Sequence, residues 1–100
     1  MDISIKKDLA SNWFKLLQNA ICDDILKIEK NKVNFESTSW KRSNKKDEGG
    51  GEYRILKNGK IFEKVGVNFS KVYGKFPKQF QKNIPGAGKD PRFWASGISI

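Results

Sequence analysis

Proton transfer at neutral pH falls most often to histidine, and this 100-residue sequence contains none. Its carboxylates outside the first helix, including Asp47, Glu48, Glu52, Glu63 and Asp90, form no pair whose spacing commits it to acid-base work. One thiol, Cys22, is the sole soft nucleophile. Asp23 and Asp24 beside it raise a thiol pKa rather than lower it, so Cys22 is expected to be structural. A single cysteine without histidine also excludes an internal disulfide and the usual zinc-ligand spacings.

Two binding chemistries remain to be weighed. The run Gly49-Gly50-Gly51 has the composition of a phosphate cradle, but phosphate loops lead from a strand into a helix and this one leads into a strand. A flexible connector is the expected reading. Aromatic and basic residues alternate at Tyr53, Arg54, Phe62, Lys64, Phe69 and Lys71, a pattern that stacks bases and neutralises phosphates in nucleic-acid binders. No RNA-binding signature accompanies it, and aromatics at strand spacing more often serve a core, so no nucleic-acid partner is expected. The net charge of +9 and the isoelectric point near 9.8 still favour anionic partners, a small polycarboxylic acid among them. The cations are spread along the chain, never more than two in a row.

The elements that position these residues follow from periodicity. One hundred residues suit one small domain burying about 65% of its unfolded surface, and 37% hydrophobic residues with seven Phe and three Trp supply a core. From about Asp8 to Glu29 the apolar residues Leu9, Trp13, Leu16, Leu17, Ala20, Ile21, Ile25 and Ile28 recur at the three-and-four spacing of one helix face, with Asp8 as the expected cap. A strand is predicted over 33–40, and then an exposed mobile loop over 41–51 with no apolar residue. Asn58-Gly59 predicts a two-residue hairpin turn between strands 52–57 and 60–69, with Ile61, Val65, Val67 and Phe69 on one face. A short helix is expected over 77–83, a loop over 84–91, and a strand over 93–100. That last strand ends in Ile-Ser-Ile without turn or cap, which points to truncation. No secretory h-region and no apolar run near the roughly 20 residues of a membrane span is present, so a soluble, cytoplasmic protein is expected. The fold class is α+β: an amino-terminal helix followed by antiparallel strands.

From Trp40 onward the residues form an ordered series: Trp40, Arg42, Gly49 to Gly51, Asn58-Gly59, Phe62-Glu63-Lys64 and Gly66-Val67-Asn68-Phe69-Ser70. A second block runs IPGAGKDPRFWASGISI from Ile84 to Ile100. Both resemble the oxygen-dependent coproporphyrinogen-III oxidases, the second in the form seen in alphaproteobacterial members. The resemblance implies oxidative decarboxylation of coproporphyrinogen III to protoporphyrinogen IX in haem biosynthesis. Dioxygen is the oxidant; no cofactor is expected in this chain, and the resemblance leaves metal use open. It implies a homodimer built on a large antiparallel sheet flanked by helices, with residues 1–100 an incomplete, amino-terminal part of that single domain. The hairpin from Ile55 to Lys64 matches a segment associated with dimerisation.

Residue by residue, Ser99 matches a substrate-contacting serine of that family, while Trp40 and Arg54 lie in matching blocks without an assigned contact. The departures count as much. The family's proton donor and metal ligands are histidines that mostly follow Ser99's segment, and Tyr73 stands where a histidine is often found. Family members run to nearly three times this length. The chain is therefore expected to be inactive alone. The alternatives are a basic, non-catalytic module for an anionic tetrapyrrole or nucleic acid, and a structural half complementing a separate carboxy-terminal chain.

Overall fold

The computed structural model describes residues 2–30 and 32–100. Helix α1 (Ile3–Glu29) is followed by β1 (Glu36–Lys41), β2 (Gly49–Lys57), β3 (Lys64–Lys75), the short α2 (Lys78–Gln81) and β4 (Arg92–Ser99). The strands form one antiparallel sheet in the order β1-β2-β3-β4. The α+β expectation holds.

Helix α1 starts five residues before the expected position, because Asp2 rather than Asp8 caps it. The Asp2 side chain accepts from the Ser4 amide at 3.3 Å and the Ser4 hydroxyl at 2.8 Å. At the other end Lys30 turns into the left-handed region with φ 51°, its N–H donating to the Leu26 carbonyl. The face that turns inward differs from the one the apolar spacing suggests. Ser11, Gln18, Cys22, Ile25 and Glu29 are buried, while Leu9, Trp13 and Leu16 are 54%, 61% and 61% exposed. Polar anchors set this orientation. The fully buried Gln18 side chain donates from Nε2 to the carbonyls of Glu52 and Val67, at 2.9 and 3.1 Å, tying the helix to two strands at once.

Cys22 and Ile25 meet Leu56 and Val67 of the sheet, and Ile21, Leu26, Phe35, Phe62, Val65 and Ile98 pack around them. Burial pushes the Cys22 thiol pKa up, so it is the inert core thiol expected of it.

The hairpin between β2 and β3 is wider than a two-residue turn. Its last strand pair is Lys57 with Lys64, so Ile61 and Glu63, expected on the second arm, both lie in an exposed loop. Asn58 takes φ 61° but Gly59 does not follow it, and the loop closes through Asn58 N–H to Glu63 and Gly59 N–H to Phe62. The cause is a residue on the helix. The buried Glu29 carboxylate accepts the amides of Lys60, Ile61 and Phe62, which opens the turn around it. Burial raises the Glu29 pKa, but those three N–H groups outweigh it and hold the carboxyl below its ordinary range.

The remaining boundaries also shift. The first strand begins at Glu36 rather than at residue 33, and β3 runs to Lys75 rather than stopping at 69. The triple glycine is the beginning of β2, bonded to β1 on one side and β3 on the other, so it is neither a mobile connector nor a phosphate loop.

Candidate functional site

Side chains alternate across a sheet, so the position of the core assigns both faces. Leu56, Val67 and Ile98 point toward α1. Thr38, Tyr53, Asn68 and Ser99 point the other way, where among the described residues no helix packs.

These four residues share one row. Thr38 is paired with Tyr53, Tyr53 with Asn68, and Asn68 with Ser99. At about 4.8 Å between strands they spread three hydroxyls and one amide over roughly 14 Å. The neighbouring row is Trp40, Gly51, Ser70 and Gly97, a floor of small residues with one large ring at its edge. Trp40 lies across Gly51, where an added Cβ would sit 2.9 Å from ring carbon Cζ2, and its indole Nε1–H donates to Asn68 Oδ1 at 3.2 Å. Beyond this row the face is closed by Arg42. Its guanidinium stands 4.7 Å from the Phe93 ring centre, donates to the Tyr73 carbonyl at 3.0 Å, and pairs with Glu48 at 3.3 Å. Phe93 in turn stacks on Phe76 at 4.8 Å.

Ser99 is the final residue of β4, is exposed, and stands opposite Asn68 in the register of β3 and β4. Arg54 is on the opposite face, toward Cys22, with its Nε 2.6 Å from Glu52. Burial lowers the Arg54 pKa, but the Glu52 carboxylate outweighs it and holds the guanidinium charged. Arg54 therefore serves the helix-to-sheet junction, and Lys15 completes the group by pairing with Glu52 at 3.2 Å and lying 5.3 Å from the Phe69 ring centre.

Two open grooves flank these elements. One of about 700 Å³ is lined by Lys15, Lys41, Lys45, Lys46 and Lys71 with the glycines of β2. Of its two acids, Glu52 pairs with Lys15 and Arg54, and Asp47 is engaged by the Tyr73 hydroxyl and the Gly49 amide, which hold its pKa below the usual carboxylate range. The other, about 730 Å³, lies between the start of α1 and β4, lined by Ile3, Lys7, Arg92, Phe93 and Trp94 among others. Among the described residues no cluster of three His, Cys, Asp or Glu side chains could hold a metal ion.

The sequence model of the family described as coproporphyrinogen III oxidase matches residues 10–100. The chain belongs to that family. It is 42% identical over 102 aligned positions to the oxygen-dependent coproporphyrinogen-III oxidase of Rickettsia felis, 41% to that of Rickettsia akari and 40% to that of Rickettsia bellii. Each alignment covers 94% of this chain and 35% of the relative. The chain thus spans about a third of the length of the curated coproporphyrinogen oxidases it matches. Residues 2–100 carry both blocks of the family series, and the sheet brings them together: Asn68 of the first block stands opposite Ser99 of the second. The sequence alone gave Trp40 and Asn68 no task. Their only signal was membership of a matching block, since a contact between residues 28 positions apart has no trace in local spacing.

Proposed function

We propose that this chain is the amino-terminal part of an oxygen-dependent coproporphyrinogen-III oxidase and that Ser99 contacts the tetrapyrrole substrate. What carries the reading is the family match together with the position of Ser99 on the face of the sheet that α1 leaves bare. Its hydroxyl donates to a propionate carboxylate or accepts from a pyrrole N–H. In the overall reaction two propionate side chains lose carbon dioxide and become vinyl groups, and dioxygen takes up the electrons. The hundred residues hold no histidine, the commonest proton-transfer group, so in this reading the proton transfers fall to residues outside them. The complete enzyme is a cytoplasmic homodimer in this reading and takes no nucleic acid. Among the described residues no helix is long and apolar enough to cross a membrane.

The test is incubation of the chain with coproporphyrinogen III in air, followed by protoporphyrin fluorescence after oxidation of the product. No turnover is expected from the 100 residues, and turnover is expected once the remaining two thirds of the family fold is supplied in trans or by fusion. Robust turnover by the isolated chain contradicts the assignment of chemistry to residues outside it.

A second reading is a non-catalytic grip on an anionic tetrapyrrole through the groove of Lys15, Lys41, Lys45, Lys46 and Lys71. It predicts binding that weakens steeply with salt and is indifferent to Ser99.

A further inference from the structure

The contact between Trp40 and Asn68 fixes more than a packing detail. An indole N–H has a proton to give and no lone pair to offer, so it can only donate. The atom of Asn68 that faces it at 3.2 Å is therefore the side-chain oxygen, whichever way a free amide would turn. With the oxygen engaged, the Nδ2 group is left with two protons and donates to no acceptor among the described residues. The arrangement needs Gly51, because the indole reaches Asn68 by lying across β2 at the point where that residue lacks a side chain.

Asn68 is also the residue directly opposite Ser99, on the same face. Residues so paired hold their Cβ atoms about 5 Å apart, a separation at which two side chains can donate to the two oxygens of one carboxylate. A carboxylate accepts at both oxygens and donates nothing, which suits an Nδ2 group and a hydroxyl presented side by side. Tyr53, next in the row on the far side of Asn68, is partly exposed and adds a third donor.

We propose that Asn68, with its amide oriented by Trp40, is a second substrate-binding residue that donates from Nδ2 to the same propionate carboxylate as Ser99. Trp40 is a positioning residue: it touches Asn68, not the ligand. The inference rests on the reading of Ser99 as a tetrapyrrole contact, and adds to it a partner and an orienting group.

The experiment titrates the chain with coproporphyrin III, the stable oxidised form of the substrate with the same four carboxylates, and follows porphyrin fluorescence. Far-UV circular dichroism and a thermal melt on each variant separate lost binding from lost fold. Ser99→Ala and Asn68→Ala are each expected to weaken binding about ten-fold, the loss of one charge-assisted hydrogen bond. Asn68→Asp keeps the shape and replaces the donor by a negative charge, and is expected to weaken it further. Trp40→Phe keeps an aromatic ring but frees the amide to rotate. It is expected to cost about three-fold alone and nothing when added to Asn68→Ala, a coupling that a purely structural role does not produce. If Ser99→Ala weakens binding while folded Asn68→Ala and Asn68→Asp bind as wild type, the inference about Asn68 is wrong and the reading of Ser99 stands. If wild-type chain binds no porphyrin, or Ser99→Ala changes nothing, the reading of Ser99 fails and takes this inference with it.

Discussion

The two faces of the sheet are built from the same strands and do opposite things. On the α1 face, Leu56 and Val67 are completely buried against Cys22 and Ile25, and even the polar residues there are consumed, Gln18 by two strand carbonyls and Glu29 by three loop amides. On the other face, Thr38, Tyr53, Asn68 and Ser99 lie in one row with small residues beside them. Beneath α1 the first face spends its buried polar groups on holding the fold together. The second keeps them available, and availability of hydrogen-bonding groups in a fixed geometry is what a binding surface needs.

The contrast predicts that substitutions separate cleanly into those that unfold the chain and those that blunt its binding. Leu56→Ala should be the most damaging. Removing a fully buried leucine side chain costs about 3 kcal/mol, which in a chain of this size lowers the melting midpoint by more than about 10 °C, read by thermal denaturation. Gln18→Leu keeps the volume but strips two buried carbonyls of their donor, and should cost about 2 kcal/mol by urea denaturation despite being the more hydrophobic residue. A variant as stable as wild type would show that α1 docks by its apolar contacts alone.

Glu29→Gln tests the hairpin loop through pH. The folded carboxyl titrates below its ordinary value near 4.5, so its contribution to stability is complete above that value and is lost as pH falls through the lower folded one. Wild type should therefore melt higher than Glu29→Gln at pH 7, with the gap closing on acidification. A constant gap from pH 7 to pH 3 would mean that the charge of Glu29 contributes nothing. Smaller effects are expected where side chains are exposed. Leu16→Ser, on the outward side of α1, should change monomer stability by about 0.5 kcal/mol or less in the same urea assay, whereas a loss like that of Leu56 would show a buried role for this side of the helix. Thr38→Val, at the far end of the row from Ser99, should leave the melt unchanged and weaken coproporphyrin III binding about two-fold.

How much of this was legible beforehand depended on whether the deciding contact was local. The helix, four strands and the short turn of helix at Lys78–Gln81 followed from periodicity and turn residues. The inward side of α1 did not, because its orientation is set by Gln18 and Glu29, whose partners lie 31 to 49 residues away and leave no local pattern. Glu29 misled the hairpin reading for the same reason: Asn58-Gly59 favours a two-residue turn, and a distant carboxylate with three amides to satisfy overrode it. The triple glycine looked like a loop by composition and is a strand between β1 and β3, with Gly51 leaving room for the Trp40 ring. Of the proposed site, Ser99 was reached through family resemblance, while Asn68 and Trp40 became visible only when the register of β3 and β4 set one block against the other.

In the proposed function the bare face of the sheet, not the lysine-lined groove, carries the tetrapyrrole. Backbone and side-chain NMR of the isotope-labelled chain during titration with coproporphyrin III measures this directly. Shifts are expected to concentrate on Thr38, Tyr53, Asn68, Ser99 and the Trp40 indole N–H. Shifts confined to Lys15, Lys41, Lys46 and Lys71, with that row unmoved, would contradict it.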